Sequence, residues 1–176
     1  MFTRRVRCGA ALFSPQSLPA HLLPNIFLPF IAGFRFIGLP DAWELQYFGT
    51  TAYGPAQDND QDGANNLMEW AFNLNPTRPD STALTPGTGI AGLPVARLTG
   101  SAGNQRMTIE FIRRKNAALT YTVQFANSPA GASFQSTVNA PTVAPIDANW
   151  ERVIVEDSVT TGDQAIRFGR VTVTAP

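Results

Sequence analysis

Cysteine is almost missing from this chain: Cys8 is the only one in 176 residues. No intrachain disulfide can form, and a cysteine-based metal site is excluded. Histidine is equally scarce. His21 stands alone near the N-terminus, so a Ser-His-Asp or Cys-His relay has no base in the rest of the chain. Neither sign of charge is in excess, since 13 Lys and Arg offset 13 Asp and Glu. No global field therefore draws nucleic acid or an acidic lipid surface. A membrane-spanning helix needs about twenty unbroken, mostly apolar residues. The longest apolar stretch, Leu18 to Leu39, is interrupted by Pro19, Pro24, Pro29 and Arg35, so no stable membrane span is expected. What the chain does contain is Gly, Pro, Thr and Asn in quantity, which suits β-structure with many turns.

The most specific pattern is Asp58-Asn59-Asp60-Gln61-Asp62-Gly63-Ala64-Asn65-Asn66-Leu67-Met68-Glu69. It fits the calcium-loop template D-x-[DN]-x-[DN]-G-x5-E at every fixed position. Calcium is a hard cation that takes six to eight oxygen ligands in a flexible shell. Asp58, Asp60 and Asp62 occupy positions 1, 3 and 5. Gly63 permits the sharp turn at position 6. Ala64 offers its backbone carbonyl, Asn66 binds directly or through water, and Glu69 is the bidentate ligand at position 12. The competing reading is a solvated acidic loop with an Asp-Gly turn.

The flanks do not read as a calmodulin-like switch. Gly54-Pro55 breaks any helix entering the loop. No second loop exists in the chain, and Asn65 holds position 8, where a partner loop expects an apolar residue. A helix is instead expected to start at Asp41, with Asp41 as cap and Glu44 reaching back to its N–H, and to stop at Gly49. A second helix begins near Asn66. Leu67, Trp70, Ala71 and Leu74 follow helical spacing, and Asn75-Pro76 ends it. Both helices are too short to stand alone in water, so contact between Trp43/Tyr47 and Leu67/Trp70 is expected.

Gly38-Leu39-Pro40-Asp41-Ala42-Trp43-Glu44-Leu45-Gln46-Tyr47-Phe48-Gly49, the Asp58 to Glu69 loop and Asn75-Pro76-Thr77 together resemble a calcium module of large secreted and surface bacterial proteins. Its loops are similar to those of thrombospondin type 3 repeats and dockerins. The resemblance covers Gly38 to Asp80. The chain departs from it by having one loop, where dockerins use two, and by carrying Asn73-Leu74-Asn75 in place of the usual Gly. The resemblance implies a calcium site with Asp58, Asp60, Asp62, Asn66 and Glu69 as side-chain ligands and Ala64 as a carbonyl ligand. It also implies a secreted or cell-surface location.

Residues 1–38 start with Arg4, Arg5 and Arg7 and read as a poorly ordered or targeting-like segment, or as sequence outside the folded unit. Residues 39–80 are expected to form the helical calcium unit, and the Thr/Pro/Gly-rich stretch 81–92 a linker. From 93 to 176 the period is two. Met107, Ile109 and Phe111 alternate with polar residues, as do Leu119, Tyr121, Val123 and Phe125, and then Val153 and Val155. With Val95 to Leu98, Ser133 to Val138 and Ile166 to Val173, this gives about six strands and an antiparallel β-sandwich. Ile166/Phe168 and Val171/Val173 are out of phase, so a bulge is expected at Gly169. The fold class is thus mainly β: a small sandwich preceded by a short helix–calcium loop–helix unit. Calcium should order only the helical unit, since few contacts cross a linker of that composition.

Chemistry in the β region is thin. Glu110, Asp147, Glu151, Glu156, Asp157 and Asp163 supply carboxylates but no supporting motif, so no catalysis is assigned. Arg113-Arg114-Lys115 reads first as a solvated turn and second as a contact for an anionic glycan or phosphate. Ile112 to Val123 and Pro145 to Val153 also resemble the β-rich C-terminal modules that follow such loops, which implies a place in a longer protein and no activity. The reading reached is a non-catalytic calcium-binding structural module of an exported bacterial protein, spacing or displaying other domains. The alternative is a carbohydrate-binding module with Trp150, Tyr121 or Trp43 as the stacking platform for a glycan.

Overall fold

Two short helices precede seven strands in the computed structural model, which describes residues 38–176. The targeting-like segment, Cys8 and His21 lie outside the described residues. No helix among those described is long and apolar enough to cross a membrane.

The first helix, α1, is Asp41–Phe48. Asp41 does not cap it. Pro40 stands at the N-cap with no side-chain bond, and Asp41 is the first helical residue, where its charge meets the positive end of the helix dipole. Glu44 turns away from the helix start and accepts the N–H of Tyr53 at 3.1 Å. Gly49 ends the helix in the left-handed conformation, φ 70°, which glycine adopts without a Cβ penalty. The second helix, α2, is Asn66–Phe72, capped by Asn65, whose side chain accepts from the N–H of Met68 at 3.0 Å. It stops at Asn73, φ 59°, short of Asn75-Pro76, because asparagine also tolerates the left-handed turn. Leu39, Trp43 and Trp70 bury one another, with Tyr47 and Leu67 beside them.

The strands are β1 Val95–Thr99, β2 Arg106–Arg114, β3 Thr120–Ala126, β4 Gln135–Ser136, β5 Thr142–Pro145, β6 Trp150–Thr160 and β7 Phe168–Thr174. They form two antiparallel sheets ordered β1-β2-β6-β5 and β4-β3-β7. The arrangement is sandwich-like. Ile109, Phe111, Val153 and Val155 of one sheet share a core with Tyr121, Val123, Phe125, Val171 and Val173 of the other. The edge strand β5 has no counterpart among the expected six, because all four of its residues are exposed and no alternation marks it.

Two expectations fail for packing reasons. Gly169 carries no bulge: β7 pairs with β3 in unbroken register, Phe125 opposite Gly169 and Val123 opposite Val171. Ile166 simply precedes the strand and is 64% exposed, so there is no phase to slip. Gly169 is exposed, but a Cβ added there would point at inter-sheet side chains, 2.6 Å from Ile109 Cδ1 and 2.9 Å from Met107 Sδ. The register break falls instead between Arg106 and Thr108 of β2.

The stretch 81–92 is not a linker. Leu84 is buried with Ile112 and Trp150, and Ala83 bridges Leu93. The N–H of Gly92 reaches the carbonyl of Phe72 at 3.1 Å. This strap covers the outer face of β2, so β2 is buried on both sides from Thr108 to Ile112. Glu110, a polar residue in the alternation of β2, is fully buried there. It takes Arg97 at 2.5 Å, Arg152 at 2.6 Å and the N–H of Gly87 at 2.6 Å. Arg152 also holds the carbonyl of Gly89 at 2.7 Å. Nor do the helices pack apart from the sheets. Ala64, Ala71, Phe72 and Leu74 sit in the inter-sheet core, and residues 38–176 fall in one compact unit. The boundary expected near residue 90 is therefore absent.

Two outcomes follow. Gly169→Val should cost about 1 kcal/mol, more than Gly169→Ala, by displacing the side-chain ends of Ile109 and Met107; urea denaturation measures both, and an unchanged midpoint for Val would contradict the packing described. In native-state hydrogen exchange, Leu67–Phe72 and Phe111–Ile112 should open together with one free energy. Separate openings would restore the two-part division.

Candidate metal centre

The acidic loop is shaped by its own carboxylates. Asp58 accepts the N–H of Gln61 at 2.8 Å through Oδ1 and that of Gly63 at 3.0 Å through Oδ2. Asp60 accepts from Asp62 at 3.3 Å, and Asp62 from Ala64 at 2.9 Å. These side-chain-to-backbone turns are the local structures that aspartate favours. Gln61 and Gly63 take positive φ, 63° and 93°, which bends the chain round the acidic side chains. The loop's two ends are fastened together. The N–H of Asn66 bonds Gln57 O at 2.8 Å, the N–H of Leu67 bonds Pro55 O at 3.0 Å, and Asn66 Nδ2 bonds Gly54 O at 3.0 Å. The result is a cluster in which one oxygen from each of Asp58, Asp60 and Asp62 lies within 4.8 Å of the others.

Glu69 is the unusual group. It is fully buried, and neither of its carboxylate oxygens has a hydrogen-bond donor; Asp60 Oδ2 is in the same condition. A buried carboxylate without a partner is among the more costly arrangements in a protein. Burial, then the charges of Asp60, Asp62, Asp80 and Asp58, push the Glu69 carboxyl up to about 8. Burial also raises Asp60, helped by Asp62 and Asp58. Asp62 moves the other way. Burial pushes it up, but the N–H groups of Ala64, Asp80 and Ser81 and the Ser81 hydroxyl outweigh that and hold it below the usual range.

Of the six expected ligands, Asp58, Asp60 and Asp62 are brought together; Glu69 lies outside that tight triplet but within electrostatic reach of it. Ala64 is fully buried. Asn66 is also fully buried, and its Oδ1 takes the amide of Asn59 at 3.4 Å, so it fastens the loop. Two contributors lay beyond the twelve-residue pattern. The N–H groups of Asp80 and Ser81 reach Asp62 Oδ2 at 2.8 and 2.7 Å, and Ser81 Oγ donates to Asp62 O at 2.7 Å. Their only sequence signal is the turn after Asn75-Pro76, which returns the chain to the loop. The donor set is all oxygen, the chemistry of hard divalent cations.

The other candidates are committed elsewhere. The Tyr121 hydroxyl donates to Ala71 O at 3.0 Å, and its ring packs between Phe72 and Phe111. Trp43 and Trp150 are buried, and the Arg114 guanidinium lies 4.2 Å over the Trp150 ring. None of these rings is a free platform. Arg114 is likewise no solvated turn residue, since burial lowers its pKa and its Nε donates to Trp70 O at 2.6 Å. Glu151 pairs with Arg113, Glu156 with Arg106 and buried Asp157 with Arg167. Asp147 caps Trp150, and Asp163 accepts from Thr160. No family model, no characterised protein and no solved structure matches the chain.

The raised Glu69 carboxyl predicts the pH response of the protein in chelator. A group whose pKa is higher folded than unfolded stabilises below its unfolded value and loses that contribution as pH rises through the folded one. Stability in chelator should therefore fall between about pH 4.5 and 8. Denaturant midpoints across that range test it; a rising midpoint would show that Glu69 has a partner.

Proposed function

We propose that this chain is a calcium-stabilised, non-catalytic structural module of an exported protein, its ion held by the Asp58–Glu69 loop. One observation carries the reading: three buried carboxylate oxygens, two on Glu69 and one on Asp60, lack any donor beside a triplet of converging aspartates. A proton can relieve only part of that repulsion. A dication would neutralise the cluster and give the buried oxygens their missing partner. Asp58, Asp60, Asp62 and Glu69 would supply the charges and Ala64 a carbonyl. A lone loop with no partner loop has no second state to switch to, which favours a structural role over a sensing one. Because α2 carries Glu69 and also seats Phe72 in the inter-sheet core, the ion would stabilise the whole described unit rather than the helices alone. Location outside the cell rests on the loop's resemblance and on the need of so weak a site for abundant calcium.

Calorimetric titration with calcium should give one site with a dissociation constant between about 10⁻⁵ and 10⁻³ M. No heat beyond dilution at millimolar calcium would refute the reading. Glu69→Gln provides a sharper contrast. It should abolish the calcium response, yet raise stability in chelator, because it removes a buried unpaired charge. A variant that is destabilised in chelator would show that Glu69 serves only the fold.

A further inference from the structure

On the side of the molecule where α1 meets the β2–β3 turn lies an open groove of about 720 Å³. Among the described residues its cations are Arg114 and Lys115, and no described aspartate or glutamate lines it. Arg114 is held in place before any ligand arrives. Its Nε donates to the carbonyl of Trp70, and its guanidinium plane lies over Trp150 at 4.2 Å and Trp70 at 5.5 Å. That fixes the fork and leaves its terminal nitrogens unspent. Among the described residues neither has an acceptor or a carboxylate partner, and neither is sealed from solvent. Arg114 itself lines the groove. A guanidinium fixed in this way is pre-organised to take a planar carboxylate through two parallel bonds.

The rest of the lining narrows the ligand. Asn73, Asn116 and Asn149 line the groove; Asn73 Nδ2 is given to Ile90 O at 3.0 Å, which leaves its Oδ1 to accept, while the amides of Asn116 and Asn149 can donate and accept. The walls come from α1, the end of α2, the β2–β3 turn and the start of β6, so no free strand edge is offered to an extended peptide. Amides that pair with hydroxyls, aromatic edges and one fixed cation suit a sugar ring bearing an acid group. We propose that this groove binds an acidic saccharide of the uronic type, its carboxylate seated on Arg114 and its hydroxyls on the surrounding amides. The site is separate from the acidic loop and does not depend on the calcium reading.

All three tryptophans of the chain, Trp43, Trp70 and Trp150, line this groove, so intrinsic fluorescence and indole N–H resonances report on it directly. The full chain would be titrated with methyl glucuronide, methyl glucoside, acetate and a short aspartate-containing peptide. Methyl glucuronide should bind at least tenfold more tightly than any of the other three. Arg114→Gln should weaken it at least tenfold, and Arg114→Lys, which keeps the charge and loses the fork, should weaken it too. Acetate binding equally well would reduce the groove to a general anion site and overturn the proposal, as would tighter binding of the peptide. If Arg114→Gln does not fold, the wild-type spectrum decides: a Trp150 indole resonance unmoved by methyl glucuronide up to about 50 mM rejects the site.

Discussion

The seating of α2 is the constraint from which the rest follows. Seven residues must bury Trp70 against α1 and Ala71 and Phe72 against the sheets. A helix that short has no side left over, and Glu69 is carried into the interior with its neighbours. Burying three apolar side chains is worth several kcal/mol, enough to drag in a carboxylate that would otherwise stay in water. The acidic loop then closes round the same point, fastened at Gln57–Asn66 and Pro55–Leu67. Like charges are gathered by hydrophobic packing and local turns rather than by any attraction among themselves. Their arrangement makes chemical sense once a cation is added.

A second carboxylate solves the same burial problem in the opposite way. Glu110 is as deeply buried as Glu69, but two guanidinium groups and a backbone N–H surround it. Its satisfied network pins the 81–92 strap onto β2 and β6 and needs nothing from outside. The contrast gives the orphaned oxygens of Glu69 their weight. The same fold supplies partners to a buried carboxylate in one place and withholds them in the other, beside three more acids.

Much of this was legible in the residues. The loop pattern located the acidic cluster, helical spacing paired Trp43 with Trp70, and alternation found the principal strands. What escaped was every feature made by distant segments meeting. Glu110 alternates with Ile109 and Phe111 like any solvent-facing strand residue, and nothing local reveals that the strap will cover it. Asp80 and Ser81 are eighteen and nineteen positions from Asp62, the aspartate they hold. Gly169 looked like a break in a pattern because its role, yielding space to Ile109 and Met107, is written on another strand. Arg114 sat in a basic run that suggested water, and two tryptophans far apart in the sequence, Trp70 and Trp150, flank it instead. Composition misled in one case: the Pro/Gly/Thr-rich strap has the residues of a flexible spacer, yet its Leu84 is 1% exposed.

That strap bears on how such chains can be recombined. A Pro- and Gly-rich stretch between an acidic loop and a β region invites a cut there when pieces of proteins are exchanged, whether by an engineer or by gene rearrangement. Here such a cut would strip the covering from one face of β2 and leave Glu110 with fewer partners. It would also part Phe72 from the strands it packs against. The smallest portion that can be grafted into another protein with its acidic loop intact therefore runs from α1 through β7, and the loop cannot travel alone.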